Sequence, residues 1–237
     1  MKLSNVWNRL RGQGDVRKQA AVAPSAPAQV ESFEARQLLS ALALFIPATG
    51  ELNLELNSSD RVRVSSSNGA VLIEVAANGS AYVPVSSIGT VPSSTIVSIV
   101  VLGGDDQNTI DLNGVTAAAF TSLTSISVDA ANGNDTINGS DGNDPISGGT
   151  GNDSITAGDG DDGNDRINAG GSDGNDTTLG GGGNDLILGG DDVIDGQAGS
   201  DTVAGNQGID VIADPASEID ENFVLSAALL TALEALG

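Results

Sequence analysis

A short phrase that returns from Asn132 to Asp214 constrains this chain more than anything else in it. Gly133-Asn134-Asp135, Gly142-Asn143-Asp144 and Gly151-Asn152-Asp153 place an aspartate every nine residues. The phrase comes back as Gly163-Asn164-Asp165, Gly174-Asn175-Asp176 and Gly183-Asn184-Asp185, then more loosely as Gly199-Ser200-Asp201 and Gly208-Ile209-Asp210. Two residues after most of these aspartates stands one aliphatic residue: Ile137, Ile146, Ile155, Ile167, Ile187, Val203 and Ile212. A short fixed period of this kind decides the architecture before residue propensities do.

The period has a direct physical reading. Gly, Asn and Asp tolerate left-handed backbone angles and make tight turns. The three residues after each aspartate suffice for a short strand whose middle side chain points inward and whose neighbours point out. Turn plus strand is half a coil of a parallel β-roll, so two repeats close one coil. Stacked coils gather the inward Ile and Val residues into a narrow core and bring aspartates of neighbouring turns together. That closeness is repulsive without a cation, and hard carboxylate and carbonyl oxygens suit Ca²⁺. The expected fold is therefore all-β: a parallel β-roll or β-solenoid, preceded by an irregular β region and followed by a short C-terminal helix.

Gly148-Gly149-Thr150-Gly151-Asn152-Asp153-Ser154-Ile155-Thr156 matches Gly-Gly-x-Gly-x-Asp-x-apolar-x at every place, and the stretch resembles the RTX family of calcium-binding repeats. The resemblance implies several Ca²⁺ ions between turns of successive coils. It implies carboxylate ligands from Asp135, Asp144, Asp153, Asp165, Asp176, Asp185, Asp201 and Asp210, and carbonyl ligands from turn glycines such as Gly149, Gly151, Gly181 and Gly183. Asp141, Asp162, Asp173 and Asp191 occupy the variable third place and read as solvated charge.

Three departures from the period matter. Asp153 to Asp165 is twelve residues. Asp162 would keep the spacing but turn Asn164 inward, whereas Asp165 turns Ile167 inward. Burying an unpaired amide costs about 1–3 kcal/mol, so Asp165 with a bulged turn is preferred. Thr178 takes an inward place, and the turn at Gly189-Gly190-Asp191-Asp192 is two residues short, which should weaken a calcium site there.

Charge narrows the partners. The net charge is −23, yet six of the nine basic residues (Lys2, Arg9, Arg11, Arg17, Lys18, Arg36) precede residue 46, leaving only Arg61, Arg63 and Arg166 beyond it. So acidic a body repels nucleic acid and anionic lipid, and its natural partner is a cation. The chain has no Cys and no His, which removes thiolate sites and the commonest general base and zinc ligand. Gly170-Gly171-Ser172-Asp173-Gly174 fits a nucleophile pattern, but it lies within a repeat turn and lacks a histidine partner. No enzyme is expected.

Four regions are expected along the chain: 1–50, 51–128, 129–214 and 215–237. Residues 1–50 form a basic leader and targeting segment. Within it Phe33-Glu34-Ala35-Arg36-Gln37-Leu38-Leu39-Ser40-Ala41 resembles the LEPR-xLL motif of large bacterial surface proteins, with Phe33 for Leu and Ala35 for Pro. The run Leu38 to Ile46, followed by Pro47-Ala48-Thr49-Gly50, also reads as a signal-peptide core or as a short amphipathic helix. It is too short for a stable membrane span.

Residues 51–128 read as an irregular β-solenoid or small β-domain. Leu52, Leu54 and Leu56 alternate with polar residues, as do Val62 and Val64. Asn68-Gly69 is a turn signal, and Val83-Pro84-Val85 an edge strand. Thr95 to Leu102 is a nearly continuous apolar run that suits burial on both faces. Residues 103–111 form a degenerate repeat, with Asn108 where the aspartate should stand and Ile110 inward. Ser125 to Asp129 reads as a strand. Residues 129–214 are the roll, and Phe223 to Leu236 a helical cap, with Asp220, Glu221 and Asn222 as possible N-caps, or a C-terminal secretion signal.

The functional expectation is calcium binding in an exported structural or adhesive protein that folds outside the cell, with cell-surface or extracellular-matrix components as partners. The alternative is a calcium-dependent export and folding module of a secreted enzyme or toxin; a third reading is a calcium buffer.

Overall fold

The computed structural model describes residues 41–57, 59–77, 80–158, 163–170, 174–189, 192–205 and 211–213. The alternation of apolar and polar residues at the start produces β1 (Ala41–Ile46), β2 (Glu51–Leu56), β3 (Asp60–Ser67) and β4 (Ala70–Ala77). β1 and β2 pair antiparallel, and β3 and β4 form a hairpin across Asn68 and Gly69. Both turn residues have positive φ, 54° and 76°, as a two-residue turn that follows strand twist requires. β5 (Val83–Pro84) is the last strand of its sheet, an edge where a missing N–H does no harm. Among the described residues there is no helix long and apolar enough to cross a membrane.

From there the chain settles into short strands: β6 (Ser98–Leu102), β7 (Thr109–Gly114), β8 (Ser125–Asp129), β9 (Thr136–Asn138), β10 (Pro145–Ser147), β11 (Ser154–Thr156), β12 (Arg166–Asn168), β13 (Thr177–Leu179), β14 (Leu186–Leu188), β15 (Val193–Asp195), β16 (Thr202–Ala204) and β17 (Val211–Ile212). Successive strands from β6 onward alternate between two sheets. One has the order β1-β2-β6-β8-β10-β12-β14-β16, the other β17-β15-β13-β11-β9-β7-β3-β4-β5. Pairing from β6 and β7 onward is parallel and in register, Ile137 opposite Ile155 and Ile146 opposite Ile167. This is the parallel β-roll that the nine-residue period demands, with two repeats per coil. The parallel stack runs back beyond the repeats, because β2 pairs parallel with β6 and β3 with β7.

The core is the line of central residues. Ile137, Ile146, Ile155, Ile167, Ile187, Ile194 and Val203 are all buried. It widens toward the N-terminal end, where Leu52, Leu54, Val62, Ile73, Ile99, Val101, Ile110, Leu112 and Phe120 join it. Asp165 directs Ile167 inward, as the bulged-turn reading requires, and Asn108 precedes a buried Ile110.

Two expectations are corrected. Ala41 to Ile46 is a strand, with Ala41 and Ala43 buried against the core, and not part of a helix; pairing with β2 satisfies one edge of its backbone. The run from Thr95 to Leu102 is buried on one face only. Ile96, Ile99 and Val101 are inward, while Val97 is 37% exposed. Parallel strands are usually covered on both faces by crossover helices. Here each connection passes to the opposite sheet, so the outer face stays open. The expected cap at Phe223 to Leu236 and the motif at Phe33 to Ser40 lie outside the described residues.

Among the described residues Thr178 is the one polar side chain in the central line of the roll. It is fully buried, and its hydroxyl has no hydrogen-bond partner. Replacing it with a same-shaped apolar side chain removes the desolvation penalty. Thr178→Val should therefore stabilise the folded roll by about 1–2 kcal/mol, readable as a higher denaturation midpoint in saturating calcium. A lower midpoint would refute this account of Thr178.

Candidate metal centre

The two residues that end each repeat phrase, Asn and Asp, have short side chains that reach one coil away in opposite directions. The aspartates reach back toward the previous coil. Asp153 Oδ1 accepts the Asp135 amide at 2.8 Å, Asp176 Oδ1 that of Asp153 at 2.8 Å, and Asp192 Oδ1 that of Asp176 at 2.9 Å. On the other side of the roll Asp165 takes the Asp144 amide at 2.8 Å, Asp185 that of Asp165 at 2.9 Å, and Asp201 that of Asp185 at 2.8 Å. The asparagines reach forward. Asn134 Oδ1 accepts the Asn152 amide at 2.9 Å and Asn152 Oδ1 that of Asn175 at 2.8 Å. Asn143, Asn164 and Asn184 do the same for Asn164, Asn184 and Ser200. Each turn is thus tied both up and down the stack.

In four of these aspartates one oxygen is spent and the other is not. Asp135, Asp153, Asp176 and Asp201 are buried, and their Oδ2 atoms have no hydrogen-bond partner. A buried carboxylate oxygen without a partner is costly, and a cation between the turns would remove that cost. Among the described residues no three acidic side chains converge. An ion there must complete its six to eight oxygens with backbone carbonyls. The turns present them: a side chain on Gly151 would place its Cβ 1.7 Å from the Gly133 carbonyl oxygen, and one on Gly174 1.6 Å from that of Gly151. The carbonyls of Gly149 and Gly183 lie against Gly170 and Gly199 in the same way. The residues present therefore fit Ca²⁺.

The glycine that opens a turn leaves room for the carboxylate that closes it. A Cβ on Gly148 would lie 2.5 Å from Asp153 Oδ2, and one on Gly180 2.4 Å from Asp185 Oδ2. Asp144 is placed differently. Its carboxylate accepts the Ser140 amide at 2.6 Å and hydroxyl at 3.1 Å, within its own turn. The Gly181 carbonyl accepts the Ala198 amide at 2.9 Å. Asp210 lies outside the described residues, as do Asp162, Asp173 and Asp191.

Sequence reading missed three participants. Asp192 is the fourth aspartate on its side of the roll; its signal was its place two residues before the inward Ile194. The Asn ladder was visible only as part of the phrase. Ser140 had no signal at all.

Burial raises the carboxyls of Asp135 and Asp176 to about 7. In each case one backbone N–H opposes the rise, and neighbouring aspartates add to it. Burial also raises Asp153. The folded values exceed the ordinary carboxyl range, so ionisation penalises the calcium-free roll. The penalty is absent below about pH 4 and grows as pH rises toward about 7. Calcium binds the ionised form, so protons compete with it below about 7. The expected result is a calcium-free β signal in circular dichroism that is larger at pH 5 than at pH 8. The calcium midpoint should shift the other way, to higher concentration at pH 5. A midpoint independent of pH over that range would show that these two carboxyls do not face the ion.

The RTX calcium-binding nonapeptide repeat model matches this chain in four copies, over residues 129–163 and 188–212. These stretches are RTX repeats, and such repeats bind Ca²⁺. No curated protein and no solved structure matches the chain.

Proposed function

We propose that the chain is a calcium-dependent structural or adhesive module, exported and folded outside the cell when it meets calcium. The observation that carries this reading is that four buried aspartates of the stacked turns, Asp135, Asp153, Asp176 and Asp201, each keep a second oxygen without a partner. Its ligands are the carboxylates of Asp135, Asp144, Asp153, Asp165, Asp176, Asp185, Asp192 and Asp201, with Asp210 continuing the series in sequence. Carbonyls of turn residues such as Gly149, Gly151, Gly181 and Gly183 complete the shells.

The mechanism is linkage. Self-repulsion and the freedom of glycine oppose the rolled state, and an ion that binds only that state shifts the equilibrium toward it. Extracellular modules bind calcium at about 10⁻⁴–10⁻³ M. Low internal calcium would keep such a chain unfolded for passage through an export channel, and external calcium would fold it. At a free concentration ten times the dissociation constant each ion contributes about 1.4 kcal/mol, so several sites together make a steep switch. The roll is read as structural rather than catalytic, because histidine and cysteine are absent from the sequence. Cell-surface or matrix components are the partners an adhesive role requires.

The test is far-UV circular dichroism of the full chain during a calcium titration, with magnesium as control. The expected result is a calcium-specific, cooperative rise in β signal near millimolar. No change up to ~10 mM, well above the extracellular range, would overturn the proposal. Retention of cells or glycans by the calcium-loaded chain, reversed by a chelator, then separates adhesion from buffering.

A further inference from the structure

The stacked turns continue below the first recognised repeat. We propose that a further Ca²⁺ site lies between the turn at residues 103–108, which the repeat model does not match, and the turn at residues 131–135. This rests on the reading that turn interfaces hold calcium.

Four observations place the lower turn in the stack. Thr109 pairs with Thr136 and Ile110 with Ile137, which sets Asn108 opposite Asp135. The Asp106 carbonyl oxygen lies beneath Gly133, 2.8 Å from where its Cβ would be, as the Gly133 carbonyl lies beneath Gly151. Gly133 and Gly151 share the same unusual backbone, φ 130° and 122°. Outside the turns a side-chain ladder runs from Thr150 to Asn132 at 2.7 Å and from Asn132 to Asp105 at 2.9 Å. The turn is thus built like a repeat turn without its sequence.

The interface also holds a partnerless carboxylate oxygen. Asp135 Oδ1 accepts the Asn108 amide at 2.6 Å, so its carboxylate sits against the lower turn. Its Oδ2 has no hydrogen-bond partner, and the residue is 2% exposed. That is the arrangement of Asp153 over Asp135 and of Asp176 over Asp153. Exposed Asp105 and Asp106 stand beside it and add negative potential.

One difference sets its strength. Asn108 replaces an aspartate, and its amide is engaged, Oδ1 with the Gly104 N–H at 2.7 Å and Nδ2 with the Asn57 carbonyl at 3.1 Å. Asn108 thus brings no charge to the turn beneath Asp135, whereas Asp135 brings one to the turn beneath Asp153, so this is the weak end of the column. Its occupancy joins the calcium-dependent coils to the apolar N-terminal part of the solenoid.

The experiment uses the full chain. Equilibrium dialysis first counts bound calcium. Asp135→Asn removes the carboxylate at this interface and should lower the count by one ion while the others stay bound. In parallel, Gln107→Trp puts an indole on the exposed edge of the lower turn, and terbium luminescence excited through it reports an ion nearby. The signal above that of the chain without Gln107→Trp should persist in Gln107→Trp/Asp153→Asn, where the next interface has lost its carboxylate. It should vanish when Asp135→Asn is added. Loss of the signal already in Gln107→Trp/Asp153→Asn, with calcium still bound elsewhere by dialysis, overturns the proposal. An unchanged count in Asp135→Asn overturns it as well. An unaltered chain that binds no calcium refutes the underlying reading, and this site with it.

Discussion

Chelation of calcium should open the roll and leave the N-terminal solenoid folded. In hydrogen exchange followed by mass spectrometry, the amides of Asp135, Asp144, Asp153, Asp165, Asp176 and Asp185 should lose protection by at least a hundredfold. Those in β2, β3, β4 and β6 should stay protected. Each of those roll amides is bonded to the carboxylate of a neighbouring coil, and a cation beside that carboxylate would offset the repulsion between stacked turns. Each repeat buries one central side chain beneath a strand of three residues. The N-terminal strands run to eight residues and share a core that includes Leu52, Leu54, Val62, Ile73, Ile99 and Phe120. Apolar burial is the dominant stabilising term, and here it is unevenly distributed along the chain. Uniform loss of protection from residue 41 onward would show one cooperative unit. No loss at all would show that calcium does not hold the roll.

Gly151→Ala should be among the most damaging single methyls in the described repeats. Gly151 has a φ of 122°, and an added Cβ would come 1.7 Å from the Gly133 carbonyl oxygen. Backbone strain of this kind costs about 1–3 kcal/mol. The contact cannot be relieved by a rotamer change, because the opposing atom is backbone of the coil below. That carbonyl is also among those an ion would use, so the variant attacks fold and ligand together. The expected loss exceeds about 3 kcal/mol, read as at least a tenfold rise in the calcium midpoint or as failure to fold at any concentration. Gly142→Ala is the control. Its nearest neighbour would be Ser140 Oγ at 3.7 Å and its φ is ordinary, so its stability should stay within about 1 kcal/mol of the parent. Equal behaviour of the two variants would mean that the turns are not stacked this closely.

Much of the local structure was legible because it depends on nearest neighbours along the chain. The choice of Asp165 over Asp162 needed only the cost of turning Asn164 inward, and Ile167 is buried accordingly. Asn68-Gly69 specified its turn and Pro84 its edge for reasons internal to a few residues. Thr178 was recognisable as an intruder from its place in the period. The run from Thr95 to Leu102 misled, because composition alone does not say whether anything covers a strand's second face.

The sequence by itself determined that the repeats wind into parallel stacks of three-residue strands, which side chains point inward, and that aspartates gather in the turns. Those follow from the two-residue alternation of strands and the conformational habits of Gly, Asn and Asp. Which turn meets which was decided only by closure of the coils. Partners in the ladder lie 16 to 23 residues apart because the intervening turns differ in length. Closure set Asp192 into the ladder despite its shortened turn, bent Asp144 back onto Ser140, and laid Asp135 against Asn108. Such pairings depend on the accumulated length of every turn between two coils, and no local pattern in the chain records that sum.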